Sequence, residues 1–229
     1  MGRRSQSVIS LDPIDRSRKK QDSVISRFFK TRHYGGKRGV FPDPFGHYLF
    51  VGKQRMGKTA SAIWYYERLS KKYKKRGKEV IVYSNLGLGL PLKMRTLHDL
   101  IVNIEFDPKK VYFFIIDEIQ SYFPKDTKNT ELLKIIDQLT GDFSQLGKRQ
   151  IYVFSTAQVY GRLNKNLREQ CLYMIDCRRS LFTRKFVNDF IEGDDILCDD
   201  LGRWSGIPKK ILVHGLPKLS YDTHKLIVE

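Results

Sequence analysis

Two rhythms alternate along this chain. Short unbroken apolar runs are followed by longer stretches in which apolar residues recur every three or four positions. HYLFVG, residues 47–52, is a run of the first kind and predicts a buried strand. TASAIWYYERLSKKYKKRG, residues 59–77, is of the second kind. Ala62, Ile63, Tyr66, Leu69 and Tyr73 make one helical stripe, and Gly77 is a stop. KEVIVYSN, 78–85, predicts another strand, ending in the loop LGLGLP. VYFFII, 111–116, is a third, bounded by the acids Asp117 and Glu118. Residues 127–149 predict a helix with Leu132, Ile135, Ile136 and Leu139 on one face. QIYVFSTAQ, 150–158, predicts a strand, 164–170 a short helix, and 171–179 a further strand. Strands buried on both faces and alternating with helices predict an α/β fold, a mostly parallel sheet with helices on both faces. Beyond residue 180 the pattern weakens. The acids Asp189, Glu192, Asp194, Asp195, Asp199 and Asp200 predict a solvated acidic loop, and 209–229 an extended segment or final strand.

At 229 residues the chain predicts one domain, 41–229, behind a basic arm, 1–40. Within the domain, 45–180 reads as the core and 181–229 as a C-terminal extension. No apolar run approaches the ~20 residues that span a bilayer. The basic N-terminus lacks the apolar centre of a secretory signal, so the cytoplasm is the expected compartment. Cys171, Cys177 and Cys198 stand in no paired metal spacing and predict reduced, mostly buried thiols. His214 and His224 have no ligand partner in view. Net charge is +17, of which residues 1–40 hold +8. So large an excess points to a polyanionic partner, and the arm is a candidate for contact with nucleic acid or a capsid.

Chemistry enters with GKQRMGKT. Gly52, Gly57, Lys58 and Thr59 fit the phosphate-binding loop G-x-x-x-x-G-K-[ST], between a predicted strand and a predicted helix. The backbone of Gly52, Lys53, Gln54, Arg55, Met56, Gly57, Lys58, Thr59 and Ala60 would cradle a polyphosphate. Lys58 would reach the β- and γ-phosphates, and the Thr59 hydroxyl would sit on Mg²⁺. Asp117, at the end of the apolar strand, would hold Mg²⁺ directly or through water. Glu118 would polarise the attacking water. A nucleotide kinase has little use for that second acid. A guanine-specific hydrolase would carry Asn-Lys-x-Asp, and NKNL at 164–167 lacks the Asp. ATP hydrolysis is therefore favoured. Thr156 and Gln158 would end a strand beside that of Asp117. The Gln158 amide could hydrogen-bond both the γ-phosphate and the water, and report hydrolysis to the chain beyond.

With its phosphate loop, its strand ending Asp-Glu, and FSQLGKRQIYVFSTAQ leading to Gln158, the chain resembles the FtsK–HerA superfamily of DNA-pumping ATPases over residues 45–180. The resemblance implies a P-loop NTPase of RecA/FtsK-like fold, with ATP and Mg²⁺, working as a homo-oligomeric ring, commonly a hexamer, on DNA. Two branches fit: small viral genome-packaging ATPases, and zonula occludens toxin-like assembly ATPases of filamentous phages. The second usually continues into a membrane helix. The first implies a capsid or portal-vertex partner and a place in the host cytoplasm or the virion. A reading from another class is a nucleic-acid-binding protein whose nucleotide site is a switch. The resemblance also implies an arginine finger reaching a neighbour's site. Arg149 is the first candidate, with Arg168 and Arg178 as rivals.

Overall fold

The computed structural model of the chain describes residues 43–180, 185–199 and 203–219. The basic arm 1–40, Asp200 and the last residues with His224 lie outside the described residues.

An eight-stranded sheet organises the described residues. In chain order its strands are β1 (Gly46–Val51), β2 (Glu79–Ser84), β3 (Leu90–Pro91), β4 (Lys110–Ile116), β5 (Ile151–Ala157), β6 (Cys171–Arg179), β7 (Phe186–Glu192) and β10 (Lys210–His214). Two short strands, β8 (Leu197–Cys198) and β9 (Trp204–Ser205), pair apart from it. Across the sheet the order is β10-β7-β6-β1-β5-β4-β2-β3. β6 through β3 run parallel, while β7 is antiparallel to both β6 and β10. The predicted α/β, mostly parallel sheet is what the chain adopts.

Among the described residues five helices flank it: α1 (Lys58–Lys75), α2 (Leu97–Val102), α3 (Ile119–Tyr122), α4 (Thr130–Gln145) and α5 (Lys165–Glu169). The stripe predicted on α1 is its buried face. Ala62, Ile63, Tyr66 and Leu69 pack with Tyr48, Phe50, Phe113 and Phe154 on one side of the sheet. On the other side, Ile136, Leu139 and Phe143 of α4 join Leu97 and Ile101 of α2 against Leu49, Val51, Phe114 and Val153. Both faces are thus covered, which is why β1, β4 and β5 are continuous apolar runs. α4 starts later than the periodicity suggests. Its cap is Asn129, whose side chain accepts from the backbone N–H groups of Glu131 and Leu132.

The acidic loop is a correction. Asn188 and Asp189 lie inside β7, and Asp189 is only 1% exposed. Phe186, Val187, Phe190 and Ile191 are buried around it, and the Arg178 guanidinium is paired with its carboxylate. The acids masked an apolar strand, because a paired carboxylate can be buried where a lone one cannot. Only 193–199 form an exposed turn and the short β8. The sheet therefore takes two strands, β7 and β10, from the segment after residue 180.

Candidate functional site

β1, β5 and β4 are neighbours, so their C-terminal ends share one edge of the sheet. Val51 is level with Ala157, and Ile116 with Ser155. One residue further along each strand stand Gly52, Gln158 and Asp117. Open α/β sheets bind ligands outside this edge. β5 lies beside the acid-bearing strand, as expected of the Thr156–Gln158 strand, and its other neighbour is the phosphate-loop strand.

The loop from Gly52 to Gly57 leaves β1 and enters α1. Gly52 has φ 148°, and a Cβ there would sit 2.7 Å from the Cys177 carbonyl oxygen. Gly57 caps α1 at φ 85°, and a Cβ would overlap the Phe186 ring at 2.2 Å. Neither position tolerates a side chain, so both motif glycines are required by geometry as well as by the ligand's approach. Lys53, Gln54 and Arg55 are exposed at the rim, and Arg55 holds a left-handed φ of 62°. Lys58 is buried and its Nζ donates to the Lys53 carbonyl at 3.3 Å, so the cation lies across the loop it would serve.

Asp117 is fixed from three sides. The hydroxyls of Thr59 and Thr156 donate to its Oδ1 at 2.8 and 2.7 Å. Asn85, at the end of β2, accepts from the Asp117 N–H at 2.9 Å and donates to its carbonyl at 3.1 Å. The donor set fits Mg²⁺. Thr59 Oγ1 and Asp117 Oδ1 are 2.8 Å apart, close to the ~3.0 Å between adjacent ligands of an octahedron with ~2.1 Å bonds. A hydroxyl and one carboxylate leave the other positions for phosphate and water, the usual manner for this ion.

Glu118, two residues past β4 and the N-cap of α3, stands in the left-handed region, φ 55° and ψ 45°. A non-glycine residue held there costs about 1–3 kcal/mol and is a mark of functional sites. Its N–H donates to Thr156 Oγ1 at 2.9 Å. Gln158 Nε2 donates to both carboxylate oxygens at 3.1 Å, and the Gln120 amide donates to one of them. Two amides thus aim the carboxylate while it stays partly exposed at the sheet edge.

Of the predicted residues, Lys58, Thr59, Asp117, Glu118, Thr156 and Gln158 meet at this edge. The three arginines do not join them alike. Arg149 precedes β5, whose length of about 23 Å separates it from Gln158, and its Nη1 donates to the Ile101 carbonyl. Arg168 lies over the Tyr160 ring at 5.0 Å. Arg178, on the strand beside β1, is paired with Asp176 and Asp189 of its own chain. Asn85 was missed. Its only signal is a lone amide ending an apolar strand, and many strands end that way. Behind the loop, Ser61 bonds Asn188 and His214, each at 3.1 Å. His214 thus ties β10 to α1, and nothing about it suggests a ligand. Burial pushes its pKa down. Cys171 and Cys177 are buried free thiols as expected, their pKa values raised by burial, while Cys198 is exposed. Among the described residues no helix is long and apolar enough to cross a membrane.

With the loop, the Thr59–Asp117 pair and the sheet order together, the chain has a P-loop NTPase fold. No protein-family model and no curated protein matches it. Several solved structures are similar. The N-terminal domain of zonular occludens toxin from Neisseria meningitidis is 18% identical, over 77% of this chain and 96% of that one, with a TM-score of 0.48. The genome packaging NTPase B204 from Sulfolobus turreted icosahedral virus 2, in complex with ATP-gammaS, is 12% identical over 76% and 99%, TM-score 0.47. The flagellar accessory protein FlaH from Methanocaldococcus jannaschii is 13% identical over 86% and 93%, TM-score 0.43.

Proposed function

We propose that the chain hydrolyses ATP and uses the energy to move DNA, as a homo-oligomeric ring that packages a viral genome. The observation that carries the hydrolytic half is the Glu118 carboxylate, held by the Gln158 amide at 3.1 Å on both oxygens and set beside the Thr59–Asp117 pair. A carboxylate so aimed is a general base for water.

The geometry supports a role for each residue. Backbone N–H groups of the loop and the first turn of α1 would bind the phosphates, and Lys58 would turn from the Lys53 carbonyl to the β- and γ-oxygens. Mg²⁺ at Thr59 and Asp117 would neutralise charge on those oxygens. Glu118 would take the proton of the attacking water. The Gln158–Glu118 hydrogen bond would weaken when the carboxylate takes up a proton, and Gln158 would so carry the event into β5 and the segment after it. The DNA half is supported by the charge of +17 and by the resemblance of the motifs. The ring is supported by the resemblance of the motifs, and a finger role for Arg149 would need a second chain, because β5 separates it from its own Gln158.

The test is ATP turnover by the purified chain with and without double-stranded DNA, with particle size by light scattering. Turnover raised by DNA in a multi-subunit particle is expected. Absence of turnover would remove the hydrolytic reading. Turnover indifferent to DNA would leave an ATPase and remove the translocase.

A further inference from the structure

Charge beyond the arm is not spread evenly. Residues 68–78 contain seven Lys/Arg and no acid, which is +7 of the +9 carried after residue 40. This run is the second half of α1 and the turn that follows it. On the other side of the sheet α4 carries one Lys and three acids. Of the two long helices, the one on this side of the sheet ends in a basic run and the other does not.

Within the run, Lys72 is paired with Asp43, and Lys78 donates to the Gln150 side chain. Lys71, Lys74, Lys75 and Arg76 are exposed, and among the described residues no carboxylate comes within ion-pair range of them. Crowding is felt locally: burial first and then the neighbouring Arg76 charge push the Lys72 pKa down. Cations in a last helical turn complement the helix dipole. That need is met by one or two of them, and four unpaired ones repel each other without an outside anion.

We propose that the exposed cations at the C-terminal end of α1, Lys71, Lys74, Lys75 and Arg76, form a contact for the phosphate backbone of duplex nucleic acid. It rests on the DNA reading above and gives it a place. α1 is 18 residues long, so ~27 Å separate its ends. Its first turn belongs to the phosphate loop and its last to the duplex contact, so one rigid element joins the nucleotide to the track. The surface suits a duplex better than a membrane. A membrane-binding helix needs an apolar face free to insert, and the apolar face of α1 is spent on the sheet. A duplex offers one charge per ~1.7 Å of axis and demands no apolar contact.

The experiment uses the full chain, a short labelled duplex and a salt series. Lys71→Gln/Lys75→Gln should lower duplex affinity roughly 10-fold or more near 0.15 M salt and flatten the log–log salt slope by about 2. Lys71→Arg/Lys75→Arg should bind as wild type. Melting temperature and ATP turnover without DNA should not change. Wild-type binding with an unaltered slope in the Gln variant would overturn this contact alone. A wild type that binds no duplex would overturn it together with the DNA reading. Phosphatidylserine vesicles provide the rival arm. Loss of vesicle binding in the Gln variant, with duplex binding intact, would reassign the surface to a membrane.

Discussion

At the scale of single residues, Glu118 and Asn85 separate chemistry from support. Glu118→Gln keeps the shape and still allows an amide contact with Gln158, but it is a poor base. ATP binding should persist while turnover falls by ~10²–10⁴. A rapid-quench measurement showing wild-type turnover would move the base elsewhere. The Asn85 side chain hydrogen-bonds the backbone of Asp117 at both its N–H and its carbonyl. Asn85→Ala leaves a buried N–H and a buried carbonyl without partners, which costs roughly 2–4 kcal/mol. The mutant should melt lower and bind Mg²⁺–nucleotide more weakly. A melting curve superimposable on wild type would show that the bracket carries no load.

At the scale of elements, the lower half of β1 contributes a pH dependence to stability. His47 sits between β5 and β6, its Nε2 2.6 Å from Ser155 Oγ and its Nδ1 3.2 Å from Cys171 Sγ. Burial lowers its pKa from 6.5 to about 3. The folded chain therefore keeps a neutral imidazole where the unfolded chain takes up a proton. Its contribution is fully present above pH 6.5 and is lost as pH falls toward 3, at roughly 1.4 kcal/mol per unit. Denaturant titrations at pH 7, 6 and 5 should show a steeper decline for wild type than for His47→Gln. Parallel declines would mean the imidazole is charged in the folded chain. β6 and β7 contribute a second buried polar pair, Arg178 with Asp189. If Arg178 turned to a neighbour's site it would leave the buried Asp189 carboxylate unpaired, which makes it a poor candidate for one.

At the scale of the whole molecule, the question is whether sites are shared between copies. Arg149 stands at the opposite end of the sheet from the phosphate loop, so a catalytic role for it requires a second chain. Arg149→Ala should bind ATP normally and hydrolyse it poorly, by about 10³–10⁵ if it is a finger. Lys58→Ala should be inactive for a different reason, the loss of the phosphate cation. Co-expressed, the two variants form interfaces that pair an intact loop with an intact Arg149. Partial recovery of turnover in purified mixed particles is the expected result. No recovery in particles that contain both would exclude Arg149 and direct the search to Arg168.

What the sequence determined by itself was whatever depends on near neighbours along the chain. The apolar runs at 47–51, 111–116 and 151–154 could only be strands buried on both faces, and the α1 stripe could only be a helix face. The phosphate loop was legible because all its parts lie within eight residues. Asp117 and Glu118 were legible because they end a strand whose burial is plain. Partnership across the sheet was decided only by the tertiary structure. Asn85 became a bracket because β2 lies next to β4, a pairing 32 residues apart. Asp189 became a core residue because Arg178 lies on the adjacent strand, which no local count of acids reveals. Gln158 came to rest on Glu118, rather than merely near it, because β5 is inserted between β1 and β4. The physical reason is the same each time. Periodicity reports which face of an element is dry, while a hydrogen bond or ion pair needs two elements at a set register, and register is settled only when the sheet closes its order.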